Sequence, residues 1–309
     1  MNKIIILVVV VVLVLVSIKF KKKKKIFFRS FYIEGYNDLK NKTTFNFTDG
    51  GIPKIIIKTS WQKREKFPLQ LIDSIKITQI LNPDYTVFYF DDDEVEQFMK
   101  EFSETAYSCY QKLIPGAFKA DLFRVCCLYK YGGCYSDIGH LMIKPFDEII
   151  EDANIVLVSD SKIYDFILYK YKNVNYTGIH NALMCSVKEH PFFKSIIDKI
   201  IFNVSTNYYG ENSLDITGPT MIGKVFNCYF TKICDSINKN ILIYGTTDYN
   251  CNQCKIKILK FVRKIFDFND TFYIQEIDGT DLVQTKFDDY YHIMYDSVKT
   301  PTYSGTMEK

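Results

Sequence analysis

The sequence predicts an α/β fold built on a mainly parallel, Rossmann-like sheet flanked by helices. Three observations carry this. Short β-branched or aromatic runs recur at 54–58, 86–90, 134–136, 155–158, 241–244 and 272–275. Between most of them stand segments with helical apolar spacing, at 69–81, up to about 102, 118–131, 191–202 and after 219. Strands alternating with helices are the pattern of a sheet covered by crossover helices. With 47% hydrophobic and 16% aromatic residues, the chain can bury a core and is not disordered. No internal repeat or linker divides it, and 309 residues suit one large domain or two small ones.

The first strand, 54–58, is β-branched along its length and is expected to be buried on both faces. Trp61, the sole tryptophan, follows in a loop. Asn82-Pro83-Asp84 marks a turn after the 69–81 helix. The second strand runs into Asp91-Asp92-Asp93-Glu94, with Asp93 the expected N-cap of the next helix. In the following helix Phe118, Leu122, Val125 and Tyr129 form the core face, and Asp121 and Arg124, three apart, share another. Gly132-Gly133 ends that helix, because glycine accepts the positive φ of a helix terminus. Asp137 then stands at the end of the 134–136 strand, where α/β sheets hold ligands. His190-Pro191 and Thr217-Gly218-Pro219 open two further helices.

Arg124 is informative because arginine is scarce. Of 39 basic residues only Arg29, Arg64, Arg124 and Arg263 are arginine. An arginine inside an apolar helix points to a need for its planar fork, which grips phosphate or carboxylate at two points. A purely structural Asp121–Arg124 pair fits the same spacing, and both readings stay open.

The net charge of +3 is unevenly spread. Eight positive charges lie before residue 30 with no acidic residue among them, so the remainder carries −5. An acidic body is a poor match for nucleic acid. Residues 4–18 are apolar apart from Ser17 and would span about 22 Å as a helix, short of a ~30 Å hydrocarbon core. Extending to Phe20, with Lys19 snorkelling, reaches the lower limit. A cleaved signal peptide is the alternative, but one lysine precedes the run and no small-residue cleavage site follows. The expectation is therefore a membrane anchor and polybasic flank at 1–25, a stem at 26–50, a domain at 51–300 and a tail at 301–309. It implies a single-pass protein of the Golgi or another endomembrane. Orientation stays open: Lys21 to Lys25 favour a cytosolic C-terminal side, whereas five Asn-x-Ser/Thr sequons, beginning at Asn41, Asn46, Asn175, Asn203 and Asn269, weakly favour the lumen.

Nine cysteines leave at least one unpaired. Cys251 and Cys254 form one C-x-x-C with no second pair, so a disulfide or buried thiols fit better than structural zinc. Cys126 and Cys127 read as core. The Asp91–Glu94 cluster admits a metal-dependent hydrolase, since clustered carboxylates can hold two metals. No histidine spacing accompanies it, and a helix cap explains it equally well.

Several pieces together resemble the glycosyltransferases with a DxD sugar-binding motif, which include fungal outer-chain mannosyltransferases and globoside-type galactosyltransferases. They are Ile52-Pro53-Lys54-Ile55-Ile56, Asn82-Pro83-Asp84-Tyr85, Lys119-Ala120-Asp121-Leu122-Phe123-Arg124, Tyr131-Gly132-Gly133-Cys134-Tyr135-Ser136-Asp137, Asn181-Ala182, His190-Pro191 and Thr217-Gly218-Pro219. The resemblance implies a GT-A type domain that transfers a hexose from a nucleotide-sugar to a glycan, protein or lipid hydroxyl, retaining configuration. It implies donor contacts from Asp121, Arg124, Asp137, Gly133 and Tyr135, with Asp137 and Arg124 catalytic and Trp61 stacked on the base. It implies a divalent metal, Mn²⁺ in such enzymes, held by Asp137 with weaker candidates in His292 and Ser297. One departure stands out: Asp137-Ile138-Gly139 has glycine where the second DxD carboxylate belongs. Three readings follow: a metal held by Asp137 with other groups, metal-independent catalysis with Arg124 and a lysine neutralising the leaving group, or a protein that binds a donor without turning it over.

Overall fold

The computed structural model describes residues 33–159, 178–210, 212–234, 255–261, 264–266 and 272–276. Its elements are α1 (Tyr36–Asn41), β1 (Ile55–Thr59), α2 (Leu69–Leu81), β2 (Thr86–Phe90), α3 (Asp92–Phe102), α4 (Glu104–Lys112), α5 (Gly116–Tyr131), β3 (Gly133–Ser136), β4 (His140–Met142), α6 (Phe146–Ile150), β5 (Ile155–Ser159), β6 (Leu183–Ser186), α7 (Pro191–Ser205), α8 (Pro219–Cys234), β7 (Ile256–Phe261), β8 (Lys264–Phe266) and β9 (Phe272–Glu276). The strands form one sheet in the order β2-β1-β3-β6-β5-β7-β8-β9-β4. The expected strand at 241–244 and the Cys251/Cys254 pair lie outside the described residues.

The sheet is mixed, which corrects the expectation of a mainly parallel one. Among the described strands β1–β2, β1–β3 and β5–β7 pair parallel, and the other five pairings are antiparallel. Apolar patterning does not report strand direction. The link between β7 and β8 is too short for a crossover, so they can only return antiparallel. The β2-β1-β3 part keeps the Rossmann-like arrangement, with α5 leading into β3.

One face of the sheet carries the main core. Ile55, Ile57, Phe88, Phe90, Tyr135, Met184 and Leu157 pack there with α3, α4, α5, α7 and α8. In a strand alternate residues face opposite ways, so Ile56, Lys58, Cys134 and Ser136 belong to the other face, and all four are fully buried. α1 lies within the segment expected as a stem, yet Tyr36 and Leu39 are fully buried in the core. Tyr36 meets Phe98 edge to face, their centroids 5.6 Å apart.

The helix caps show how local chemistry sets the ends. Asp91, not Asp93, caps α3: its Oδ1 accepts from the N–H groups of Asp93 and Glu94 at 3.1 Å, and Glu94 returns a bond to the Asp91 N–H. That use of the acidic cluster removes the reason to read it as a hydrolase site. His190 caps α7 through Nδ1, which accepts from the Phe192 N–H at 3.2 Å. Burial pushes this imidazole down to about 4 from an ordinary 6.5. A group depressed in this way binds its proton more readily when unfolded. Its stabilisation is therefore complete above pH 6.5 and is lost as pH falls towards 4. His190→Asn keeps a capping acceptor without a proton site. In denaturant melts at pH 7 and pH 4.5 it is expected to lose less stability on acidification than the wild type, by up to about 3 kcal/mol. Equal losses would remove His190 from the acid response.

Among the sequons, Asn203 is fully buried inside α7 and donates to the Ile216 carbonyl at 2.8 Å, so the folded chain does not present it for glycosylation.

Candidate functional site

Three predicted residues meet at the end of β3. α5 turns Asp121 and Arg124 onto one face, and the strand end delivers Asp137 to the same guanidinium. Arg124 Nη2 lies 3.4 Å from Asp121 Oδ1, and Arg124 Nη1 lies 3.4 Å from Asp137 Oδ1. Arg124 also donates through Nη1 to the Asn181 carbonyl at 2.9 Å and through Nε to the Ala120 carbonyl at 3.2 Å. Its guanidinium lies over the Tyr135 ring, 4.7 Å from the centroid. The side chains of Asp121 and Arg124 keep 11% and 8% of their surface, whereas that of Asp137 keeps 40%. Asp137 is therefore the member of the set that faces outward.

The two carboxylates are held differently. Asp121 accepts from Asn181 Nδ2 at 2.8 Å and from Thr217 Oγ1 at 2.8 Å. Burial still pushes its carboxyl above the usual range, with Asp137 adding to the push, against the pull of Arg124 and these two bonds. For Asp137 burial is outweighed by Arg124, His140 and the Tyr135 hydroxyl, which hold it below that range. Tyr135 donates to Asp137 Oδ1 at 2.7 Å. Asp137 is thus kept ionised and fixed in direction at neutral pH.

The antiparallel β6 explains why Asn181 is here. Ser136 pairs with Leu183, so the residues just before β6 run beside the Asp137 turn, and the Asp137 N–H donates to the Ala182 carbonyl at 2.8 Å. Thr217 is delivered by the turn before α8. That turn is tied down by Asn203 and by Asp215, which is buried and pairs with Lys224 at 2.7 Å. In the sequence Asn181 stands out only as part of the resemblance, and Thr217 only through it and as the opening of a helix. Sequence reading missed Lys58 altogether, although a lysine inside a β-branched run was a visible signal. The Lys58 ammonium is buried under the same strand end.

The other predicted residues are placed differently. Tyr135 is fully buried and supports Arg124 and Asp137 from beneath, rather than lining an open surface. Gly133 begins β3 with φ of +91°, and a Cβ there would stand 2.3 Å from Ile55 Cγ1. It serves the close approach of β3 to β1, at the opposite end of the strand from Asp137. Trp61 lies in the loop past the carboxyl end of β1 with its side chain exposed, and no bond ties it to the other three. His292 and Ser297 lie outside the described residues.

The geometry around Asp137 offers little to a divalent metal. Gly139 has no ligand atom, Asp137 Oδ1 already takes the Tyr135 hydroxyl and faces Arg124, and no group of three or more His, Cys, Asp or Glu among the described residues could hold a metal. These residues by themselves do not form a cation site.

Asp121, Arg124 and Asp137 thus form one charged cluster at the carboxyl end of β3, with Asp137 its exposed member. Residues 68–156, which carry Asp121, Arg124 and Asp137, match the family described as glycosyltransferase sugar-binding region containing DXD motif. The chain is 27% identical over 69% of its length to "Mannosyl phosphorylinositol ceramide synthase CSH1" of Saccharomyces cerevisiae, covering 52% of that protein. It is 25% identical over 62% of its length to "Inositol phosphoceramide mannosyltransferase 3" of Schizosaccharomyces pombe, covering 50%. The chain thus spans about half the length of these curated relatives. A solved chain titled "PaToxG Glycosyltransferase" is similar at 17% identity and a TM-score of 0.45, over 60% of this chain and 72% of that one, a likeness too loose to carry weight.

The expectation of a single-pass membrane protein is corrected. Among the described residues no helix is long and apolar enough to cross a membrane. The apolar run at 4–18 lies outside them.

Proposed function

We propose that the chain transfers a hexose from a nucleotide-sugar donor to an acceptor hydroxyl with retention of anomeric configuration. The observation that carries this is the convergence of Asp121, Arg124 and Asp137, with Asp137 the ionised, accessible member. In such a transfer the bond from the anomeric carbon to the diphosphate breaks and its electrons leave with the diphosphate. The acceptor oxygen bonds that carbon, and its proton departs with the leaving group. The transition state is oxocarbenium-like, with negative charge growing on the phosphate. Fixed cations stabilise that charge, and a fixed carboxylate accepting from sugar hydroxyls holds the ring in place. Asp137 suits the second task and Arg124 the first.

The names of the relatives favour mannose as the sugar and an inositol phosphoceramide as the acceptor. A divalent cation, Mn²⁺ by resemblance, would need ligands from beyond the described residues. A second reading, a donor-binding protein of weak or no activity, is motivated by Gly139 alone.

The test is a thermal-shift screen of the full chain against common nucleotide-sugars, followed by donor turnover with and without Mn²⁺. A ligand that binds only the folded state raises its melting temperature. The transferase reading expects at least one donor to shift the melt and be consumed. Binding without turnover for every donor would favour the second reading, and no binding would remove both.

A further inference from the structure

Lys58 is the buried charge that the site as described leaves unused. Its side chain leaves β1 on the face opposite Ile57 and ends under the strand end that carries Asp137. Nζ donates to the Ser136 carbonyl at 3.4 Å, to the Ser136 hydroxyl at 3.3 Å and to the Asp137 carbonyl at 3.2 Å. These are three acceptors for the three N–H groups of an ammonium. The same Asp137 carbonyl accepts from the His140 N–H at 3.1 Å, which closes the turn containing Gly139. The lysine is fully buried. Burying an ammonium costs several kcal/mol even when it is well bonded, and an uncharged side chain in its place is often more stable. A charge kept there at that cost calls for a use.

The charges around the turn supply one. Asp121 and Asp137 set two carboxylates against the single guanidinium of Arg124. A donor diphosphate, itself anionic, would meet an electrostatic deficit there. His140 and His180 also face this turn, their rings 6.3 Å apart, and both pull on Asp137. Position 139, where a second carboxylate would recruit a cation, has no side chain. We propose that Lys58 is a positioning residue whose ammonium, locked beneath the Asp137 turn, supplies the fixed positive charge that a divalent cation would otherwise bring to the donor diphosphate. This rests on the transferase reading above. Burial lowers the Lys58 pKa to about 8, with Asp137 opposing, so the group still carries its charge at neutral pH.

The test compares affinities of the full chain for GDP-mannose, UDP-glucose, guanosine and uridine, each in EDTA and in Mn²⁺, by calorimetry. In the wild type at least one nucleotide-sugar is expected to bind equally in both buffers. Lys58→Gln keeps N–H donors but loses the charge, and Lys58→Met loses both. Each is expected to weaken nucleotide-sugar binding by about tenfold or more, with nucleoside binding unchanged. Lys58→Gln should melt no lower than the wild type. Adding Gly139→Asp to Lys58→Gln is expected to restore affinity in Mn²⁺ only; Gly139 is not among the glycines with positive φ, so its backbone accepts a side chain. Wild-type binding lost in EDTA would overturn the proposal. So would Lys58→Gln binding as the wild type does, which would reduce the lysine to a geometric anchor, or an equal loss for the nucleosides. A wild type that binds no nucleotide-sugar in either buffer would overturn the transferase reading, and this proposal with it.

Discussion

Replacing Asp137 with alanine is expected to lower donor turnover by about 10²-fold or more while leaving the fold intact. The magnitude is that of removing one pre-positioned polar group from an active site. The fold should survive because the Asp137 side chain is 40% exposed and its backbone bonds, to Ala182, Lys58 and His140, remain in the variant, while Tyr135 and Arg124 each lose one partner. Asp137→Asn separates charge from shape: it keeps an oxygen for the Tyr135 hydroxyl but not the ionised acceptor. It should remain closer to the alanine variant than to the wild type. Steady-state donor consumption together with a melting curve decides the matter. Unchanged turnover in Asp137→Ala would take this residue out of the site.

Arg124→Met should have the largest effect on stability, about 3–5 kcal/mol, because it leaves Asp121 buried without its cation. Asp121 keeps its bonds to Asn181 and Thr217, but these neutral donors do not offset a buried charge. Adding Asp121→Asn removes the stranded carboxylate, so the double variant is expected to recover much of the loss. Equilibrium denaturation of the single and double variants measures this directly. A loss under about 1 kcal/mol in Arg124→Met would mean that the pair behaves as an exposed ion pair, contrary to its burial.

What the sequence disclosed follows from which forces act locally. α5 was legible because its apolar spacing, the glycines at its end and the Asp121–Arg124 offset all belong to one continuous segment. Asp137 was legible for the same reason, at the end of the strand that follows. The partners of Asp121 were not, because Asn181 and Thr217 arrive from 60 and 96 residues away. Only the antiparallel entry of β6 and the turn before α8 bring them in, and strand direction leaves no trace in apolar alternation. Asp91 took the cap expected of Asp93 because β2 ends at Phe90, which puts its carboxylate, not the later one, in reach of two open N–H groups. Lys58 broke the apolar pattern of its strand, and its use appeared only once Ser136 and Asp137 were seen to lie over it.

The most direct measurement is a crystal structure of the chain with a bound nucleotide-sugar. This account predicts sugar hydroxyls within hydrogen-bond distance of Asp137 and the diphosphate beside Arg124, at the carboxyl end of β3. A donor seated elsewhere, with Asp121, Arg124 and Asp137 bonded only to one another, would contradict it.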